Sequence, residues 1–248
     1  MPYILKTRVD PVNYEEATRK IIEWAERGES RYVCAATVHM VMEAFDSDEY
    51  CQVVNGADLV TADGMPLAWM LRLLGHKGQE RCCGPELTLW VARAAAEKGL
   101  PVGFYGSTPD VLKDLIANFS RRFPGLKVAY AYSPPFRPLP PEEDAKITEE
   151  INNSGTRILF VGLGCPKQER WMARHKGKIK AVMLGVGAAF DFHAGRKPIA
   201  PKWMRNAGLE WLFRLYCEPR RLWHRYLYHN PRFLFHAFRQ ICLKKKFT

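Results

Sequence analysis

Short apolar runs alternate with amphipathic stretches through the first 198 residues of the chain. The apolar runs are rich in β-branched and aromatic residues and have the length of buried strands. The stretches between them have helical periodicity, and several carry Pro near the first turn, where its missing N–H costs nothing. The predicted strands are 32–36, 57–61, 102–105, 127–132, 157–161 and 181–186. The predicted helices include 14–27, 85–98, 109–122, 141–152 and 166–175.

This alternation is typical of an α/β protein with a Rossmann-like parallel sheet flanked by helices. After Pro198 the strand pattern stops. In the tail, Glu218-Pro219 and Asn230-Pro231 each predict the end of one helix and the start of another, giving three short basic amphipathic helices.

The same pattern predicts how the chain is divided into domains. We expect residues 1–198 to form the body, with two lobes near 1–98 and 99–198. Residues 199–248 are expected to form a basic, aromatic, helical appendage.

Charge is concentrated in this tail. Residues 202–248 hold eleven of the 37 Lys and Arg but only two acids, and therefore carry +9 of the chain's +11. Aromatic residues are interleaved with these cations. Such a surface suits anionic lipid headgroups, nucleic acid or a pyrophosphate ligand, and the tail alone does not decide among them.

Composition excludes several classes of protein. The first residues are too few and too charged for a secretory signal, and the longest apolar run, 181–190, is about half a membrane span. We therefore expect a soluble or peripheral protein. Seven cysteines without a CxxC pair argue against a disulfide framework and against a thiolate zinc site, and indicate a reducing cytoplasm.

The segment 161–169 is the strongest candidate for a ligand loop. A predicted strand runs into a turn containing Gly164, and Pro166 then starts a helix that carries Lys167 and Gln168. This arrangement aims backbone N–H groups at an anion, although a tight turn without a ligand has the same pattern. A dinucleotide fingerprint would require glycine where Lys167 stands.

Polar residues also follow the first two predicted strands. Asp63 comes directly after the second, where it could act as a general base or cap the helix that begins near Pro66. Thr37 and His39 lie at the tip of the first strand, where they could bind substrate or start the next helix.

Two patterns that could bind a metal have unfavourable contexts. Asp46-Ser47-Asp48 has DxD spacing but lies in a polar stretch within or after a helix, so we interpret it as a solvated turn. Asp191 and His193 lack a third ligand at suitable spacing. We therefore predict no required metal, which leaves Lys, Arg and helix termini to neutralise a departing phosphate.

Taken in order, these segments resemble the WecG/TagA/CpsF family of bacterial glycosyltransferases over nearly the whole chain. The order of the motifs is more specific than any one of them. They are Thr37-Val38-His39, Ala62-Asp63-Gly64, Arg81 with Gly84-Pro85, 162–169, Gly185-Val186-Gly187 with Phe190-Asp191, Ala200-Pro201, 208–214 and Glu218-Pro219.

The resemblance implies an inverting, metal-independent transferase without a cofactor. It would move N-acetylmannosamine, its uronic acid or glucose from a UDP donor to a polyprenyl-diphosphate-linked saccharide in cell-envelope or exopolysaccharide synthesis. The implied location is the inner face of the cytoplasmic membrane, with the tail docked on anionic lipid. Self-association would use the same tail side chains, and no nucleic-acid partner is expected.

The resemblance also implies roles for individual residues. Asp63 matches the general base that removes a proton from the acceptor hydroxyl. Arg214, Arg221 and Arg225 match arginines that close over the site and hold the UDP diphosphate. The implied substrate-binding residues are Thr37, His39, Gly64, Arg81, Gly164, Pro166, Lys167, Gln168, Gly187, Asp191, Arg214, Arg221 and Arg225.

Two departures from the family pattern leave the donor sugar open. His39 stands where many relatives carry Asn, and Ala188-Ala189 stands where they often carry Gly-Ser. His39 could bind a uronic carboxylate when protonated, or replace the hydrogen bond of an amide. An NAD(P)-dependent oxidoreductase and a nucleic-acid-binding module are the alternative functions, and they depend on Gly162-x-Gly164 and on the basic tail.

Overall fold

The computed structural model describes residues 1–243 and Phe247. It confirms the Rossmann-like α/β fold, with a six-stranded parallel sheet. The six predicted strands are all present, with ends that differ by one or two residues. They are β3 (Arg31–Ala36), β4 (Leu59–Ala62), β5 (Val102–Gly106), β6 (Val128–Tyr132), β7 (Ile158–Gly162) and β8 (Val182–Gly185). Their order across the sheet is β4-β3-β8-β7-β5-β6.

A small hairpin precedes the sheet, formed by β1 (Tyr3–Ile4) and β2 (Thr7–Arg8). The sequence pattern misses it because two residues are too few to show alternation. The described residues also form twelve helices. They are α1 (Tyr14–Glu26), α2 (Val38–Asp46), α3 (Asp48–Asn55), α4 (Met65–Leu73), α5 (Gly84–Lys98), α6 (Pro109–Arg122), α7 (Pro141–Asn153), α8 (Lys167–His175), α9 (Ala189–His193), α10 (Lys202–Asn206), α11 (Glu210–Cys217) and α12 (Pro219–Cys242).

The chain forms two compact units. Unit 1 contains Met1–Asn13, Ala35–Cys83 and the described part of Ile199–Thr248. Unit 2 contains Tyr14–Cys34 and Gly84–Pro198. The residues after Pro198 thus belong to the same unit as the hairpin and the segment that contains Asp63.

In unit 2, aromatic side chains form the centre of the core. The ring of Phe104 stacks on Phe160 at 5.4 Å between centroids and meets the edge of Phe190 at 5.7 Å. A Cβ placed on Gly162 would lie 2.7 Å from the ring of Phe190. Glycine is therefore required where β7 ends, because any larger residue would displace the core.

In unit 1, the segment after the hairpin lies along β4. The carboxylate of Asp10 accepts from the N–H of Val60 at 2.8 Å, and the N–H of Asp10 donates to the carbonyl of Val60 at 2.8 Å. These bonds satisfy backbone groups of β4 that would otherwise remain unpaired at the edge of the sheet.

The tail differs from its prediction at one of the two prolines. The break at Glu218-Pro219 is confirmed, because α11 ends at Cys217 and α12 begins at Pro219. The predicted break at Asn230-Pro231 is wrong, since α12 continues through Pro231. Proline inside a helix costs about 3 kcal/mol. Packing of His229 and Phe233, buried on either side of the exposed Pro231, offsets this cost.

The helix α12 packs on α2 of the same unit. Its buried side chains lie on one face, while Trp223, Tyr228, Phe235 and Phe238 are exposed. Among the described residues, no helix is both long enough and apolar enough to cross a membrane. The buried face is formed by Leu222, His229, Phe233 and Ala237.

Candidate active site

Two predicted site residues of unit 1 follow the ends of β3 and β4. Thr37 is the N-cap of α2, where its hydroxyl accepts from the N–H of Met40 at 3.3 Å. The N–H of Asp63 donates to the carbonyl of Ala36 at 2.8 Å, which brings the two strand ends together. The N-cap of α4 is Gly64, at φ 116°, so Asp63 is not the cap residue of that helix. Asp63 itself follows β4 directly and is half-buried.

Arg81 forms an ion pair with Glu210 of the tail. Its Nη1 lies 2.6 Å from Oε2 of Glu210, and the two side chains are only 14% and 30% exposed. Burial opposes the charge on Arg81, but Cys83, Glu210 and Asp63 outweigh it and raise the pKa of Arg81. Arg81 is therefore a fixed cation whose field reaches Asp63.

A second tail contact reaches the end of β3. Nη2 of Arg225 lies 3.5 Å from the Thr37 hydroxyl, toward which it donates. Burial, followed by the charge of Arg225, lowers the pKa of His39 to about 3. His39 is therefore neutral at neutral pH. This favours a hydrogen-bonding role for His39 over a permanent positive charge on its imidazole.

His39 also belongs to a cluster that sequence reasoning missed. Oε1 of Glu43 lies 3.6 Å from Nδ1 of His39 and 3.5 Å from Nε2 of His229. Within the described part of the chain, these three side chains are the group that could hold a metal ion, and two imidazoles with one carboxylate are a donor set used for zinc. The positive charge of Arg225 beside His39 opposes a bound cation.

The DxD pattern proves to be a junction between two helices. Asp46 ends α2, Asp48 begins α3, and Ser47 caps α3 through its hydroxyl. Both carboxylate oxygens of Asp46 accept from Arg232, at 2.8 and 2.6 Å. Asp46 therefore fastens α12 to α2, and Asp48 binds Lys6 at 2.9 Å.

In unit 2, the predicted ligand loop is closed by its own side chains. Gln168 is 4% exposed, and its Oε1 accepts from the N–H of Gly164 at 3.1 Å. Its Nε2 donates to Glu169 at 2.7 Å. Lys167, the first residue of α8 after the N-cap Pro166, is exposed. The backbone N–H of Gly164 is therefore committed to the loop, whereas Lys167 faces solvent.

The remaining predicted residues of unit 2 lie between β8 and the end of α9. Gly187 has φ 51°, and Asp191 forms an ion pair with Lys197 at 3.6 Å. His193 makes a hydrogen bond through Nε2 with the carbonyl of Pro85 at 2.8 Å. Because Asp191 and His193 have these separate partners, they do not converge as a pair of metal ligands.

The tail arginines have different surroundings. Arg225 contacts Thr37. Arg214 is half-buried on α11, and Arg221 is 52% exposed and paired with Glu218. In unit 1 the structure thus brings together Thr37, His39 and Arg225, and likewise Asp63 and Arg81.

Sequence reasoning missed the partners of these residues. Glu210 and Glu218 are the two acids of a strongly basic tail, and both are paired with arginines. Because acids are rare in this tail, each of these two glutamates was a sign of an ion pair with a cation. Glu43 and His229 gave no such signal, because their distance along the chain hides their contact.

A family model described as "Glycosyl transferase WecG/TagA/CpsF family" matches residues 2–247. The chain belongs to this family of glycosyl transferases. Family membership decides in favour of a transferase over the oxidoreductase alternative.

Two curated relatives carry the same name, N-acetylglucosaminyldiphosphoundecaprenol N-acetyl-beta-D-mannosaminyltransferase. The protein from Bacillus subtilis (strain 168) is 25% identical over 228 residues, which cover 92% of this chain and 85% of the relative. The protein from Bacillus spizizenii is 28% identical over 205 residues, covering 82% of this chain and 77% of the relative.

Proposed function

We propose that the protein transfers N-acetylmannosamine from its UDP derivative to an N-acetylglucosamine linked through diphosphate to a polyprenol. The observation that carries this proposal is the position of Asp63 directly after β4, where the charge of Arg81 acts on it. The donor sugar and the acceptor follow the names of the two Bacillus relatives.

In the proposed reaction, the carboxylate of Asp63 accepts the proton of the acceptor hydroxyl as its oxygen attacks the anomeric carbon. The bond between that carbon and the diphosphate oxygen breaks, and UDP leaves with the bonding electrons. A single displacement of this kind inverts the anomeric centre.

The charge that develops on UDP needs cations. We assign Arg225, with Arg214 and Arg221, to the diphosphate, because one guanidinium group can donate two hydrogen bonds to a phosphate. The contact of Arg225 with the Thr37 hydroxyl places one of these cations beside a predicted substrate-binding residue. Lys167, at the start of α8, stays a proposed substrate-binding residue. On this account the reaction requires no divalent metal.

The proposed location is the inner face of the cytoplasmic membrane. The exposed aromatic residues and the cations of the tail support docking on an anionic lipid surface. Docking would bring the enzyme to a substrate that is anchored in the bilayer.

The test is UDP release from a panel of UDP-sugars, with and without a polyprenyl-diphosphate-linked N-acetylglucosamine, in the presence of EDTA. Wild-type protein should release UDP from the N-acetylmannosamine donor only when the acceptor is present. Asp63→Asn should lower kcat by about 10² to 10⁴, whereas Asp110→Asn, at an exposed carboxylate of unit 2, should leave it unchanged. Equal activity of Asp63→Asn and wild type would overturn the assignment of the base.

A further inference from the structure

One polar residue, Thr61, lies inside the apolar strand β4. All four residues of β4 are buried, and Thr61 has no exposed surface. A buried hydroxyl costs free energy unless it has a hydrogen-bond partner. The partner is the backbone carbonyl of Cys82, to which Oγ1 of Thr61 donates at 2.8 Å. Thr61 therefore joins β4 to a segment that lies 21 positions further along the chain.

A second hydrogen bond joins the same two segments. The N–H of Cys82 donates to the carbonyl of Ala62 at 2.8 Å. Cys82 also has no exposed surface, so solvent does not replace either bond. Both backbone groups of Cys82 are thus fixed against β4, at the two residues that come directly before Asp63.

The residue before Cys82 is Arg81, whose charge acts on Asp63. Nη2 of Arg81 donates toward the sulfur of Cys83 at 3.5 Å, and Nη1 is paired with Glu210 at 2.6 Å. These contacts hold the guanidinium end of the side chain. The bond from Thr61 to Cys82 holds the backbone from which that side chain extends.

We infer that Thr61 is a positioning residue for the transfer reaction and acts through Arg81. The inference rests on the proposed function, in which Asp63 is the base, and it requires no contact between Thr61 and a substrate. Without the hydroxyl, the carbonyl of Cys82 loses its bond to β4 and the segment that carries Arg81 is free to shift. A small displacement of a charged group near the reacting atoms slows a reaction, even when the altered residue does not touch them.

The test compares two pairs of proteins that differ in the hydroxyl at position 61. The first pair is wild type and Thr61→Val, and the second is Thr61→Ser and Thr61→Ala. In each pair the protein without the hydroxyl should have a kcat/KM about tenfold lower. The second pair gives an answer even if Thr61→Val does not fold. A loss in Thr61→Ser as large as that in Thr61→Ala would overturn the inference, because the hydroxyl would then have no effect.

Thr88 provides a matched control. It is also fully buried, and its Oγ1 donates to the carbonyl of Gly84 at 2.7 Å within α5. Thr61→Val and Thr88→Val should both lower Tm, since each loses a buried hydrogen bond. Only Thr61→Val should lower kcat/KM. Equal kcat/KM in the two variants would mean that the bond of Thr61 contributes to stability alone.

A double-mutant cycle tests whether Thr61 acts through Arg81. Arg81→Gln removes the charge and keeps a donor for Glu210. In that background, Thr61→Val should cause no further loss of kcat/KM, because the group that it positions is already absent. A further tenfold loss, about the same as in the wild-type background, would show that Thr61 acts independently of Arg81 and would overturn the inference.

A chemical measurement separates this inference from the proposed function. Phenylglyoxal modifies accessible guanidinium groups, and mass spectrometry of the peptides gives the modification rate at Arg81. Its side chain is only 14% exposed, so modification should be slow in wild type and in Thr88→Val. It should be several times faster in Thr61→Val. That result supports the positioning role even if wild type transfers no sugar. Equal rates at Arg81 in all three proteins overturn it, even if transfer is observed.

Discussion

Replacing Glu210 by glutamine should destabilise unit 1 and slow transfer. The ion pair joins Nη1 of Arg81 to Oε2 of Glu210 at 2.6 Å, with both side chains mostly buried. At an effective dielectric constant of about 20, two charges at this distance attract by roughly 6 kcal/mol. The desolvation of both groups offsets much of this attraction. Glutamine keeps an oxygen that accepts from Arg81, so we expect a net loss of about 1 to 2 kcal/mol.

Thermal unfolding measures this loss. For a protein of this size, 1 kcal/mol corresponds to about 2 to 4 °C in Tm, so Glu210→Gln should lower Tm by about 2 to 8 °C. Glu218→Gln is the matched control, because its partner Arg221 is 52% exposed. Pairs exposed to this degree contribute at most about 1 kcal/mol.

The effect on activity follows from the position of Arg81. Its charge lies close enough to Asp63 for each to influence the other. Without Glu210 the guanidinium loses its anchor, and we expect kcat/KM to fall about tenfold, a barrier increase of about 1.4 kcal/mol. If Glu210→Gln lowers Tm and kcat/KM no more than Glu218→Gln does, the ion pair of Arg81 with Glu210 does not have this role.

Three further predictions concern other residues of unit 1. The pKa of His39 is depressed to about 3 in the folded protein. As the pH falls below about 6.5, the imidazole therefore becomes protonated in the unfolded chain while it stays neutral in the folded one. The free energy of unfolding should then drop by about 2 kcal/mol between pH 7 and pH 5. Urea unfolding should show a smaller drop in His39→Asn, and an unchanged one in the exposed-site control His224→Asn. Gly208→Ala should lower Tm by several degrees in a thermal melt, since Gly208 has φ 73° and an added Cβ would lie 2.7 Å from the ring of Trp69; an unchanged Tm would contradict this. Transfer activity should be unchanged in EDTA, and also in Glu43→Gln. If EDTA abolishes the activity, and zinc restores it in wild type but not in Glu43→Gln, the cluster of His39, Glu43 and His229 is a metal site.

The sheet could be predicted because each strand carries its own signal. The run 181–186 is apolar throughout, and β8 is buried along its whole length. The continuation of α12 through Asn230-Pro231 could not be predicted in the same way. The cost of Pro231 is local, but the packing of His229 and Phe233 that offsets it comes from elsewhere in unit 1.

The candidate site could be predicted only in part. Asp63 and Thr37 each follow a recognisable strand. They lie close together because β3 and β4 are parallel neighbours whose carboxyl ends meet at the same edge of the sheet. The contact of Arg225 with Thr37 spans 188 positions, and that of Arg81 with Glu210 spans 129. The hydrophobic periodicity of the sequence does not predict such pairs, because they depend on how distant segments fold together.

The hydrogen bonds between the hairpin and α12 have a consequence for biosynthesis. The N–H of Leu5 donates to Oε1 of Gln240 at 2.9 Å, and Nε2 of Gln240 donates to the carbonyl of Tyr3 at 2.7 Å. A ribosome makes the hairpin first, yet its partner emerges about 235 residues later. Residues 84–198 of unit 2 are complete by then and are free to fold during translation. Unit 1 must wait for α12, so a chain released early would lack the contact of Arg225 with Thr37.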